Sequence, residues 1–185
     1  MNEKDIKAVL EKVRKGGLTV DQAVERLRTL PFEDIGFATI DHHRTIRKGF
    51  PEVIFGQGKT AAHIIRIMKK MAAQKSPVLA TRLDAKKAGL IKKAFPKAVF
   101  HAASGALTLA AGPVERRGRG TILVISAGTS DIPVAEEALV TADIMGNCVD
   151  HIYDVGVAGI HRLMNQRDKI MAANVIIVVA GMEGA

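Results

Sequence analysis

Thr121-Ile122-Leu123-Val124-Ile125-Ser126-Ala127-Gly128-Thr129-Ser130-Asp131-Ile132-Pro133 is the stretch that decides the fold. Residues 121–125 form a continuous apolar run, the pattern of a strand buried on both faces of a parallel sheet. A glycine-containing turn follows at 126–131, and Pro133 falls in the first turn of a helix predicted to reach about Ile144. The unit then recurs. A second strand is predicted over 149–153, followed by Asp154-Val155-Gly156-Val157-Ala158-Gly159-Ile160-His161-Arg162 and a helix to about Ala172. A third strand, Val175-Ile176-Ile177-Val178-Val179, runs into Ala180-Gly181-Met182-Glu183-Gly184-Ala185. Strand–helix–strand–helix–strand predicts an α/β fold with right-handed crossovers and ligands at the C-terminal ends of the strands.

Each of these strands ends in small residues with a few polar ones among them. Ser126, Gly128, Thr129, Ser130 and Asp131 offer hydroxyls and free backbone amides at a helix start, a cradle for phosphate. Capping of the helix by Ser130 or Asp131 is the plainer role, and the two are compatible. In the second loop Asp154, Gly156 and Gly159 let a ligand approach the backbone. His161 there is a proton carrier, and Arg162 a clamp for phosphate or carboxylate. In the third, Glu183 is the one charge in a small apolar tip, a setting that would raise its pKa and suit proton transfer. The loops converge only if the three strands are neighbours in one sheet.

Upstream, Ile6, Val9, Leu10 and Val13 mark an amphipathic helix over 3–15, and Thr19 caps a second that Pro31 closes. Strands are predicted at 36–40, 52–55 and 78–81, with weaker ones at 99–101 and 106–109. Helices are predicted over 61–73, capped by Thr60, and over 85–95. Residues 113–120 are rich in Gly and Arg and read as a linker between a lobe at 1–112 and a second unit at 121–185. Asp41, His42 and His43 are adjacent, but neighbours on a strand point to opposite faces and no second cluster completes a ligand set, so no metal site is expected. Arg44, Arg47 and Lys59 are the better candidates for an anion site. Gly56-Gln57-Gly58-Lys59-Thr60 lacks the upstream glycine of a nucleotide P-loop. Cys148 is expected as a small core residue and not as a nucleophile.

Composition narrows the classes. The 185 residues are 48% hydrophobic and 25% charged, the balance of a globular protein. A single cysteine excludes a disulfide framework and points to a reducing, cytoplasmic setting. No signal peptide and no apolar run long enough to cross a membrane is expected. The net charge of +8 is unevenly spread. Up to Gly120, 24 Lys and Arg stand against 11 Asp and Glu; beyond it the balance is 3 against 8. With 4% aromatic residues, stacking platforms for nucleic acid are scarce, and no nucleic-acid partner is expected.

The three loops at 126–131, 159–162 and 180–185 resemble those of the phosphoribosylaminoimidazole carboxylase (PurE) superfamily. The strings at 154–162 and 128–138 resemble more closely the LarB family of nickel-pincer cofactor biosynthesis, as do Asp41-His42-His43-Arg44, Arg47 and the stretch from Gly49 to Thr60. The resemblance implies an N-terminal helical hairpin and small α/β lobe (1–112), then a PurE-like three-layer αβα parallel sheet (121–185), cut short at its C-terminus. It implies a carboxylase and hydrolase acting on nicotinic acid adenine dinucleotide. CO₂ would be added at C5 of the pyridinium ring, and the phosphoanhydride cleaved to release AMP. Thr129, Ser130 and Asp131 would hold the ribose and phosphate, with His161 and Arg162 nearby and Glu183 handling the ring proton. The family's nucleophilic cysteine would lie past residue 185, where Cys148 does not substitute for it, so the 185-residue chain is expected to be inactive alone. No tightly bound cofactor is expected, Mg²⁺ remains open, and a homo-oligomer up to an octamer is implied. The alternatives are a purine-pathway carboxylase or mutase of the PurE type and a non-catalytic nucleotide-binding fragment.

Overall fold

Helix α1 (Glu3–Arg14) and helix α2 (Val20–Arg28) form an N-terminal hairpin that buries Val9 and Ala23. A reciprocal cap starts α2: Gln22 N–H donates to Thr19 Oγ1, and Thr19 N–H to Gln22 Oε1. The computed structural model describes residues 3–28, 32–41, 44, 49–74 and 76–184. Pro31, His42, His43 and Arg47 lie outside the described residues.

The strand predicted at 36–40 is instead a hairpin, β1 (Phe32–Asp34) paired antiparallel with β2 (Thr39–Asp41). The reversal falls inside the predicted segment because Asp34 Oδ1 accepts from Gly36 N–H at 2.8 Å, closing a tight turn. Next comes a four-stranded sheet in the order β3 (Val53–Phe55), β4 (Val78–Thr81), β6 (Ala106–Leu109), β5 (Val99–His101). Strands β3 and β4 are parallel, joined through helix α3 (Ala61–Ala73), whose first turn Thr60 caps by accepting from His63 N–H. Helix α4 (Ala85–Ala94) leads to β5, and its Asp84 cap accepts from Lys87 N–H, which holds that carboxyl below its usual range. Ile64, Met68, Ile91 and Leu107 are fully buried at the centre of this core.

The second sheet has the order β8 (Cys148–Ile152), β7 (Thr121–Ser126), β9 (Val175–Val179), all parallel. Helix α5 (Ile132–Ile144) packs along one face of it. On the other face Leu123, Ile125 and Ile152 meet Leu163 and Ile170. Those two belong to α6 (Ile160–Met164) and α7 (Arg167–Ala172), two short helices where one was predicted. The break comes at Asn165-Gln166, where Gln166 N–H turns to Leu163 O and a residue of poor helix propensity competes with the ladder. Cys148 is exposed at the start of edge strand β8, so the core role expected of it is corrected. No helix among the described residues is long and apolar enough to cross a membrane.

Helix α5 is packed from two sides. Its Val140 and Ile144 join Leu79 and Ala106 of the first sheet, while its other side covers the second. The 113–120 connection is tied to the same helix: Arg116 pairs with Asp143 at 2.7 Å, and Arg117 N–H donates to Gly146 O. Glu136 of α5 accepts the Tyr153 hydroxyl at 2.6 Å. Burial, and then that bond, push the Tyr153 hydroxyl above its ordinary value of 10.0. The unfolded chain therefore releases this proton first, so the stability the pair contributes is whole below about pH 10 and lost as pH rises beyond it. Tyr153 is the chain's one tyrosine, so tyrosinate absorbance reports it alone. Denatured protein is expected to titrate near pH 10 and folded protein to show no step there. A matching step in the folded protein would overturn the pairing.

Candidate active site

The order β8-β7-β9 brings the three loops together, because their strands are parallel neighbours and all end on one edge. The chain leaves β7 for β8 on one side, then crosses over to β9 on the other. The place between the β7 and β9 strand ends is thus a topological switch point, where open α/β sheets bind ligands.

The β7 loop is built by backbone bonds. Ala127 N–H donates to Val179 O at 3.0 Å, and Val155 and Gly156 N–H donate to Ser126 and Ala127 O at 3.1 and 2.8 Å. Ser126 is fully buried, and its Oγ accepts from Asp154 N–H, so it lies beneath the loops as a pin between β7 and β8. Thr129, Ser130 and Asp131 make a single 3-10 turn leading into α5. Asp131 Oδ2 reaches back to accept from Gly128 N–H at 2.9 Å. That bond fixes the turn while Thr129 and Ser130 remain accessible.

The β8 loop carries Asp154 at a left-handed φ of 60°, ion-paired with Arg162. Gly159 ends a 3-10 turn close under the Arg162 guanidinium. Asp154 and Arg162 border an open hollow of about 540 Å³ that Tyr153, Gln166 and Lys169 also line. The Lys169 ammonium hydrogen-bonds Asp150 and holds its carboxyl below the usual range. His161 is exposed on the first turn of α6. Glu183 is exposed too, at a φ of 50° in the β9 loop, so the apolar enclosure expected around it is absent.

Of the three basic candidates of the first half, Lys59 and Arg44 are reached from opposite ends of β3. Lys59 donates to Phe55 O at the C-terminal end of β3. Arg44 follows β2, whose Asp41 N–H donates to Glu52 at the other end of β3. The Arg44 Nε is buried without a hydrogen-bond partner among the described residues. Arg47 lies outside the described residues. No group of three potential metal ligands occurs among the described residues.

One residue that sequence reading passes over is tied to the helix that leaves the first loop. Arg82, directly after β4, has a φ of 57° and pairs its Nε with Glu137 of α5 at 3.0 Å. Its position in the sequence, between a strand and the Asp84 helix cap, is the one signal that could have raised it.

Hydroxyls, a carboxylate and an Arg–Asp pair stand on the C-terminal edge of a doubly wound parallel sheet, the architecture of an α/β protein with its candidate site at the strand ends. Residues 32–111 match the LarB/PurE-like N-terminal domain. Over 190 residues the chain is 35% identical to an uncharacterized protein of Methanocaldococcus jannaschii, a match that takes in 98% of this chain and 74% of that protein. The chain belongs to the LarB family, related to PurE, a family of carboxylase/mutase-type enzymes.

Proposed function

We propose that this protein carboxylates the pyridinium ring of nicotinic acid adenine dinucleotide at C5 and cleaves its phosphoanhydride, releasing AMP. The observation that carries the reading is the gathering of Thr129-Ser130-Asp131, Asp154-Arg162 and Glu183 on three neighbouring strand ends, around the switch point of the sheet.

The chemistry divides along those loops. A pyridinium carbon is electron-poor and does not attack CO₂ until a nucleophile has added to the ring and made it enamine-like. Once C5 has formed its bond to CO₂, its proton must leave so that expulsion of the nucleophile can restore the aromatic ring. Glu183 is the carboxylate that takes this proton. Thr129, Ser130 and the amides of the first turn hold a phosphate and its ribose, with Asp131 fixing the turn. Arg162, oriented by Asp154, offers its remaining donors to the second phosphate or to the ring carboxylate. In the second step water attacks a phosphorus of the phosphoanhydride and AMP departs; His161, next to Arg162 on α6, is the residue to take up or pass on the proton. The buried Nε of Arg44, unpartnered among the described residues, is a donor that an anion could satisfy.

The test is to incubate the protein as its gene encodes it with the dinucleotide and CO₂, and to analyse the products by mass spectrometry. A ring-carboxylated mononucleotide together with AMP is expected, and Glu183→Gln should abolish the carboxylated product. Turnover of aminoimidazole ribonucleotide in place of the dinucleotide would move the assignment to a PurE-type reaction.

A further inference from the structure

We infer that Arg82, together with Lys59, forms a phosphate-recognition subsite that the first sheet contributes to the nucleotide site of the second. The inference deepens the dinucleotide reading and rests on it for the identity of the nucleotide, though not for the phosphate. Among the described residues three non-glycine positions have left-handed φ values: Arg82 at 57°, Asp154 at 60° and Glu183 at 50°. Each follows the C-terminal end of a parallel strand, respectively β4, β8 and β9. Two of the three are site residues on independent grounds, and strained backbone of this kind clusters where function holds it.

The surroundings of Arg82 are built to keep it there. Gly56 N–H donates to Thr81 O and Leu83 N–H to Gly105 O, both at 2.8 Å, so the residues on either side of Arg82 are pinned from opposite directions. Neither neighbour leaves room for a side chain. A Cβ on Gly56 would stand 2.3 Å from Leu83 Cδ2 and 2.7 Å from Thr81 O, and one on Gly105 would stand 2.7 Å from Leu83 O. Asparagine or glycine would adopt this backbone with less strain, and a half-exposed ion pair returns little stability. The arginine therefore asks for a reason beyond its bond to Glu137.

Its geometry supplies one. The ion pair engages Nε, and the two terminal nitrogens make no bond to described residues, which leaves the planar edge of a half-exposed guanidinium open. Lys59 stands on the neighbouring strand end, its ammonium held by Phe55 O at 3.0 Å. Glu137 lies in the second turn of α5, whose start is the Thr129-Ser130-Asp131 turn, so the pair ties the end of β4 to the helix that this loop begins. A fork of free N–H groups and a lysine ammonium, carried on two neighbouring strand ends, are the donors that recognise phosphate oxygens.

The test titrates inorganic pyrophosphate, AMP and the dinucleotide calorimetrically onto the whole chain and its variants. Arg82→Gln is expected to weaken pyrophosphate and AMP by about tenfold or more, the loss of charged hydrogen bonds. Arg82→Lys should weaken them less. Arg82→Gly relieves the backbone and should be at least as heat-stable as the parent, yet bind as poorly as Arg82→Gln, a separation that a merely structural arginine would not produce. Pyrophosphate binding that is absent in the parent, or equal in Arg82→Gln, overturns the subsite. If pyrophosphate and AMP depend on Arg82 while the dinucleotide does not bind, the subsite stands and the dinucleotide reading falls. If the dinucleotide binds and is indifferent to Arg82, the reverse holds.

Discussion

Replacing Gly105 by alanine is expected to lower the stability of the folded chain by about 2–4 kcal/mol, while the same replacement at Gly89 raises it by about 0.5–1 kcal/mol. The two glycines differ in what a methyl group would meet. At Gly105 the backbone is left-handed, with a φ of 64°, and the new carbon would lie 2.7 Å from the carbonyl oxygen of Leu83. That oxygen belongs to main chain and cannot swing away. Relief requires moving Leu83, which would also stretch the 2.8 Å bond from its N–H to Gly105 O. A left-handed alanine costs about 1–2 kcal/mol, and the steric push adds a comparable amount. Gly89 lies inside α4 with open space around it. Alanine there gains only its higher helix propensity. Urea midpoints of the two variants, compared at equal slope, give both signs in one experiment. A Gly105→Ala protein as stable as its parent would mean that the β4–α4 junction is looser than its bonds indicate.

This contrast also marks what can be read along a sequence and what cannot. Residues 121–125 and 175–179 announce strands because each is an unbroken apolar run, and the structure pairs them in parallel; β7 is buried as that pattern implies, while β9 lies at the sheet edge with Val175, Ile176 and Val178 exposed. Thr60 and Thr19 announce helix starts because capping is local chemistry, settled within three residues. The gathering of Thr129-Ser130-Asp131, Asp154 and Glu183 follows from the repeated strand–loop–helix order, since parallel neighbours end on the same edge. What escapes is whatever depends on residues distant in sequence. The exposure of Cys148 follows from β8 being an edge strand, and its own apolar context gives no sign of that. The open setting of Glu183 likewise depends on how the β9 loop is packed, while composition pointed to an apolar enclosure. The hairpin at 32–41 hides because three-residue strands are too short to show a period. Arg82 is unreadable for a plainer reason: its backbone depends on Gly56 and Gly105, segments that only the folded sheet brings to either side of it.

Val140→Asp is expected to unfold the two sheets together, and not merely the one from which α5 departs. Val140 is 7% exposed and packs with Leu79, Ala106 and Ile144, on the side of α5 that faces the first sheet. An unpaired carboxylate at this position has no partner to offset its lost hydration. The cost, about 3–5 kcal/mol or more, is a large share of the 5–15 kcal/mol that holds an average domain. The helix it disrupts is also the cover of β7, β8 and β9, and it holds Tyr153 and Arg82 through Glu136 and Glu137. Loss of α5 therefore opens both cores, around Leu107 and around Leu123 alike. Hydrogen exchange followed by mass spectrometry should show peptides from β4 and from β7 losing protection in parallel. Val134→Asp, on the same helix but 48% exposed, should leave both sets protected. If β4 stays protected in Val140→Asp while β7 does not, the two halves fold separately, and Arg82 would then be held in place by the first sheet alone, without help from α5.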